Sequence, residues 1–345
     1  MPSVESSRAR EAAVTLVLAL CGGLAGNALG LPAGWLLGSL ALTFTAAMAG
    51  LRLHFPTWLQ TAIVFLIGIN IGGAMDPGMI PGLGQWLPSL LGLFASLALT
   101  LLLVALFLHR TGGFDRNTAL LAAYPGHLVL VMQTSTEYRC DPRRVTMTQS
   151  LRVLALAACL PAIAHLLLSE PPAPVSVATD FLALGLLAAA GLLGIAVARR
   201  IRLPAAILIG TVGGAGTASL AGISMGEAPS FMQNGILMLA GALIGSRFVR
   251  ADRAALLRVL PVALTAVLAT VLLTALLALP VSLLVDIPFG QLLLAYAPGG
   301  AEIMPVIAMA TGYDPAFVGV HHVVRLVIMA LALPLLARWL LARER

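Results

Sequence analysis

Lysine is missing altogether: all twenty basic side chains are arginine, and charged residues of both signs make up only 10% of the 345-residue chain. With 60% apolar residues and a mean hydropathy of +1.00, so few charges exclude a soluble globular protein, in which about 25% of residues are charged. Cysteine is scarce too. Cys21, Cys140 and Cys159 show no paired spacing, which excludes a disulfide-stapled scaffold and leaves free thiols. Metal-ligand and nucleophile–base spacings are also lacking, so the chain is read as neither an enzyme nor the holder of a metal or cofactor. The glycine runs Gly22-Gly23, Gly68, Gly72-Gly73 and Gly213-Gly214 lack the strand context of a phosphate-binding loop and read as close helix packing.

What the chain has instead is apolar length. Stretches approaching or exceeding the roughly 20 residues that cross a bilayer run from Ala12 to Gly30, Ala33 to Gly50, Trp58 to Met75, Leu87 to Leu108 and Val145 to Leu168. Five more run from Val177 to Ala198, Ala205 to Ala221, Phe231 to Phe248, Val259 to Val285 and Ala316 to Leu341. The first follows Arg8 and Arg10 as a signal peptide would. Its counterpart in the second half lies mid-chain, where no signal is cleaved, so it reads as a retained helix.

The two halves repeat one another. Pro125-Gly126 recurs as Pro298-Gly299, Asp141-Pro142 as Asp314-Pro315, and Arg152 as Arg325, all at an offset of 173 residues. Pro56/Pro229, Gln60/Gln233, Gly68/Gly241, Gly72/Gly245 and Pro161/Pro334 share it, and Leu31-Pro32-Ala33 matches Leu203-Pro204-Ala205 at 172. In a membrane protein, such duplication is the mark of a secondary transporter.

Two further apolar segments, 116–136 and 289–311, are interrupted by the Pro-Gly pairs. If each turns back as a re-entrant hairpin, every copy has five spans and the second is inverted. The positive-inside rule favours this. Eighteen arginines, from Arg8 and Arg10 through Arg139, Arg143, Arg144 and Arg247 to Arg345, then fall on the cytoplasmic side, while the outer loops hold Asp76, Glu170, Asp180, Glu227, Asp286 and Asp314. The expected fold is therefore an all-α polytopic membrane protein: two inverted-topology repeats, 1–170 and 171–345, each of five transmembrane helices plus one hairpin, with both termini cytoplasmic. The first hairpin enters from the cytoplasm and the second from outside. This distribution also explains the net charge of +6 without a nucleic-acid partner, since loops of roughly ten residues leave no room for a DNA-reading helix pair.

The remaining two arginines are Arg152 and Arg325. Asp-Pro reads as a helix start, with Asp as N-cap and Pro at the first helical position. Eleven residues on, at about 1.5 Å each, each arginine reaches roughly 16 Å, near the centre of a hydrocarbon layer of about 30 Å. The hairpin tips come to similar depth, and the expectation is that each sets the N-terminal end of a half-helix beside a guanidinium, an arrangement that suits an anion. Pro125, Gly126, His127, Arg152, Pro298, Gly299, Gly300, Glu302 and Arg325 are the candidate solute-binding residues. Glu302 is read either as the structural partner of Arg325 or as a coupling or solute contact; Arg152 has no such acid, because Val129 stands at the matching position. His321 and His322 share a face with Arg325 and are further coupling candidates, with hydrogen-bonded buried histidines the alternative. Asp141 and Asp314 read as caps.

Leu-Pro-Ala beside a Gly-rich helix in each half, Tyr124-Pro125-Gly126-His127 in the first and Ala297-Pro298-Gly299-Gly300-Ala301-Glu302-Ile303-Met304 in the second resemble the bacterial AbrB-type membrane protein family, also labelled ammonia monooxygenase. The first copy departs from Pro-Gly-Gly at His127. The resemblance covers nearly the whole chain. It implies kinship with the cation:proton antiporter and anion transporter assemblage, a bacterial inner-membrane location, and a family name taken from regulation of gene expression. The leading expectation is a secondary transporter of a small anionic solute working by alternating access, with a proton or sodium ion as coupling partner and homo-oligomerisation left open. A membrane regulator acting through a partner or metabolite is the alternative. An oxygenase is remote, because copper or iron chemistry needs a His-rich cluster and only His321-His322 comes near one.

Overall fold

The computed structural model describes residues 2–79, 84, 86–126, 128–138, 140–167, 178–249 and 252–342. Fourteen α-helices and no strands occur among them. The first seven are α1 (Pro2–Ala28), α2 (Gly34–Met48), α3 (Thr57–Gly73), α4 (Trp86–Arg110), α5 (Arg116–Ala123), α6 (Leu128–Glu137) and α7 (Pro142–Leu166). The second seven follow the same pattern of lengths: α8 (Phe181–Arg200), α9 (Ala206–Leu220), α10 (Ser230–Ser246), α11 (Arg253–Leu284), α12 (Phe289–Tyr296), α13 (Met304–Ala310) and α14 (Pro315–Ala342).

Six helices, α1, α4, α7, α8, α11 and α14, are long and apolar enough to cross a membrane. The other four expected spans are shorter than the sequence suggested. α2 and α9 have 15 residues, α3 and α10 have 17, or about 22–26 Å at 1.5 Å per residue. Their ends are set by backbone geometry. The residue after each Leu-Pro, Ala33 and Ala205, is in the left-handed region (φ 52° and 45°) immediately before α2 and α9, so the apolar run turns before its helix begins.

Glycines decide which helices touch. α1 and α2 pack antiparallel with Gly22 against Gly38 and Gly26 against Gly34; a Cβ on Gly34 would stand 2.6 Å from the Gly26 carbonyl oxygen. α8 and α9 repeat this with Gly194 against Gly210, where a Cβ on Gly210 would stand 2.7 Å from the Gly194 oxygen. Between halves, α2 runs parallel to α10, with Gly241 against Ser39 and Gly245 against Thr43. α3 runs parallel to α9, with Gly68 against Thr211 and Gly72 against Gly216. α4 and α11 run antiparallel: Gly92 faces Val281, and Gly112 faces Val262.

The two Pro-Gly segments are broken where the chemistry of proline requires it. Tyr124 (φ −59°, ψ 124°) and Ala297 (φ −56°, ψ 127°) precede proline and lie outside the helical region that proline denies its predecessor. Each broken segment ends where it began. The Asp141 N–H donates to Thr118 Oγ1 at 2.9 Å, and the Asp314 N–H donates to Gln291 Oε1 at 3.3 Å. Asp141 and Asp314 then cap the following helices, their Oδ1 accepting from Arg143 and Arg144 N–H and from Ala316 and Phe317 N–H. Asp141→Ala is expected to cost about 0.5–2 kcal/mol in thermal unfolding of the detergent-solubilised protein, with Asp141→Asn retaining most of the stability. Equal losses in both variants would show that the carboxylate acts by charge rather than as a cap.

Candidate functional site

Arg152 and Arg325 each lie ten residues past the proline that opens α7 or α14, about 15 Å along the helix. α5 and α12 bring their C-terminal ends to the same level. A helix end leaves carbonyls without intrahelical partners and carries partial negative charge, so a cation is the favoured partner there. Arg325 Nη1 and Nη2 donate to the carbonyls of Ala297 and Gly299, both at 2.8 Å. Arg152 Nη1 and Nη2 donate to Ala123 and Tyr124 at 3.2 and 3.4 Å. The expectation set each guanidinium beside the N-terminal end of a half-helix; α6 and α13 do begin just past the tips, but the guanidinium hydrogen bonds go to carbonyls on the other side of each break. The arriving ends of α5 and α12 are C-terminal, and the arginines cap them.

The residue three positions before each arginine does the same work. Gln149 Nε2 donates to Leu121 O at 2.9 Å, and His322 Nε2 donates to Leu294 O at 2.9 Å, the two acceptors being themselves repeat-related. His322 is thus a tie to α12. His321 is fully buried: its Nδ1 donates to Phe317 O at 2.8 Å and its Nε2 meets Ser89 Oγ at 2.9 Å, while the Tyr296 hydroxyl donates to Ser89 O at 2.6 Å. Neither histidine lines the cavity described next.

Between the two tips lies a cavity of about 340 Å³. Pro125 and Gly126 line it from the first tip, and Gly299, Gly300, Ala301 and Glu302 from the second. Thr146, Gln149, Ser150, Arg152 and Val153 of α7 form one wall, with Arg325 and Leu326 of α14, Gln60 of α3 and Arg247 completing it. Pro298 is buried behind the tip and serves the break rather than the wall. His127 lies outside the described residues. Of the candidate residues, the structure thus gathers Pro125, Gly126, Arg152, Gly299, Gly300, Glu302 and Arg325 around one space.

Sequence reasoning missed Arg247, which it had placed with the arginines of the cytoplasmic side. Its side chain forms an ion pair with Glu302, Nη2 to Oε1 at 3.8 Å, so the carboxylate expected to pair with Arg325 makes its salt bridge with Arg247 instead, with Arg325 still within electrostatic range. The signal that would have found it was in the repeat. Arg247 stands at the position of Ala74, and Glu302 at that of Val129, so the two unmatched charges are partners. The cavity thus carries three guanidiniums and one carboxylate, an excess of positive charge. The Nε atoms of Arg152 and Arg325 are buried without a hydrogen-bond partner. Among the described residues no three His, Cys, Asp or Glu side chains gather as a metal-binding set.

A family model described as "Transition state regulatory protein AbrB" matches residues 1–72 and 35–341. Among curated proteins, the chain is similar to "Putative regulator AbrB" of Escherichia coli (strain K12), 26% identical over 323 residues that span 90% of each chain. It is also similar to the protein YhjN of Bacillus subtilis (strain 168), 24% identical over 354 residues that span 92% of this chain and 90% of the relative.

Proposed function

The chain belongs to the AbrB family, and on that footing we propose that it is a secondary transporter of a small anionic solute, built from two inverted repeats, 1–170 and 171–345. Each repeat has five spans and one re-entrant hairpin. Inversion is supported by helices that correspond in the repeat yet run oppositely. α4 and α11 pack antiparallel, and the Tyr313 hydroxyl, just before α14, donates to Ala164 O near the end of its counterpart α7 at 3.1 Å. The parallel contacts of α2 with α10 and α3 with α9 fit the same scheme, because each joins helices that occupy different places in their own copies. Re-entrance is supported by the return of each broken segment to the level of its own first turn. In this reading the chain crosses the bacterial inner membrane with both termini in the cytoplasm.

The observation that carries the proposal is the cavity between the two tips with its surplus positive charge; the rise of about 15 Å from each Asp-Pro helix start to its arginine supports a place near mid-depth. Irregular backbone at that depth is tolerated where it lines a cavity, and inverted-repeat transporters hold their solutes between such broken helices. Glycines at the tip let a solute approach the backbone, and rocking of one bundle against the other would open the space to each side in turn. Val153→Cys in a background without Cys21, Cys140 and Cys159 tests this. A membrane-impermeant maleimide is expected to label the new thiol both in right-side-out and in inside-out vesicles. Labelling confined to one orientation would remove alternating access.

The name of the Escherichia coli relative supports a second reading, regulation of gene expression. For this chain we place that effect downstream of the solute or a partner. Deleting the gene and comparing transcripts with and without the transported solute separates the two, since a regulator independent of transport gives the same response in both.

A further inference from the structure

Charge differs between the two copies at two places inside the cavity, and the two differences meet as the pair Arg247–Glu302. Three properties distinguish this pair from a structural lock. Its separation of 3.8 Å is beyond direct hydrogen-bond distance. Both side chains keep contact with the open space, at 24% and 22% exposure. Neither side chain makes a hydrogen bond among the described residues, Glu302 having only the added electrostatic pull of Arg325, whereas Arg152 and Arg325 are held by tip carbonyls. Arg247 is therefore the cavity guanidinium able to exchange partners, and the group resting on it is a carboxylate.

Building on the transport reading above, we infer that the solute is a small carboxylate that replaces Glu302 on Arg247, and that Glu302 takes up a proton from water as it is displaced. Two ionised carboxylates around one guanidinium repel, and proton uptake by Glu302 relieves the repulsion. No bond of the solute is made or broken; one proton and one anion enter together, the signature of symport. By reciprocity, low pH must then favour anion binding. Space suffices: at about 30 Å³ per water, the cavity holds roughly ten waters or an organic anion of similar size. A planar guanidinium fork suits a carboxylate bidentately.

Among the described residues, the other titratable groups near the second tip are engaged or remote. Tyr296 on α12 and His321 and His322 on α14 have the partners given above, α3 carries none, and Cys159 and His165 of α7 are exposed on its outer surface. Arg152 and Arg325 face the same space.

The test is calorimetric titration of the purified full-length protein with lactate, pyruvate and benzoate at pH 5.5 and 7.5, with phosphate and sulfate as anions of other geometry. At least one carboxylate is expected to bind about tenfold more tightly at pH 5.5. Glu302→Gln should bind it with the acid-pH affinity at both pH values. Arg247→Gln should lose at least about tenfold at both, with Arg247→Lys in between; if Arg247→Gln fails to fold, Arg247→Lys and Glu302→Gln decide. Binding of none of the three carboxylates, preference for phosphate or sulfate, or a pH dependence that survives Glu302→Gln overturns the inference. The maleimide experiment needs no ligand, so alternating access stands or falls separately.

Discussion

Arg325→Gln should yield a protein that no longer accumulates solute in proteoliposomes and melts well below its parent. The guanidinium donates to two carbonyls at 2.8 Å, Ala297 and Gly299, in a site where the arginine is only 3% exposed. Charge-assisted bonds of this kind contribute about 1.5–3 kcal/mol each in soluble proteins. Interhelical bonds in membrane bundles average nearer 0.6 kcal/mol, so the expected loss is about 2–4 kcal/mol. Glutamine is shorter and offers one amide group, so at least one tip carbonyl is left dry. Arg152→Gln should cost less, because its bonds to Ala123 and Tyr124 are 3.2 and 3.4 Å. The order Arg325 before Arg152 is the sharp part of the prediction, and equal melting temperatures would contradict it. Lysine at 325 keeps the charge but not the fork. If the arginine also meets the solute, Lys will recover stability further than flux; parallel recovery would reduce Arg325 to a cap.

The second large effect is expected from adding one carbon at a helix crossing. Gly38→Ala brings a Cβ against the Gly22 carbonyl and 2.9 Å from Gly26 N, both main-chain atoms of the facing helix. Alanine gains up to about 1 kcal/mol over glycine in helix propensity. Overpacking costs about 1–3 kcal/mol, and main chain cannot swing aside as a side chain does, so the clash wins and α1 separates from α2. Gly213→Ala is the matched control: nothing stands within 4 Å of its Cβ, so only the propensity gain remains. Thermal unfolding in detergent should therefore move the two variants in opposite directions. A common shift would mean that the glycines matter for backbone conformation and not for close approach.

Much of this architecture was legible because its causes are local. The Asp-Pro helix starts, the breaks at Pro125 and Pro298 and the glycine crossings follow from caps, from the pre-proline restriction and from the missing Cβ, each confined to a few residues. The candidate site was legible in part. Arg152 and Arg325 were marked by the repeat and by the cost of a charge at mid-depth. What each would touch was not marked, since the donors' partners lie 26 to 29 residues away in sequence. The short helices α2, α3, α9 and α10 were overestimated because hydropathy continues past the turn that ends them.

Family, helical character and the doubling of the chain were determined by the sequence alone, because apolar content, proline and glycine positions and the 173-residue offset are properties of the chain before it folds. Only the tertiary structure decided that Glu302 pairs with Arg247, that the guanidiniums cap carbonyls and that the two histidines tie helices together outside the cavity. Partner choice inside a membrane depends on which donors and acceptors arrive at the same depth from different helices. That coincidence exists only once the helices are packed.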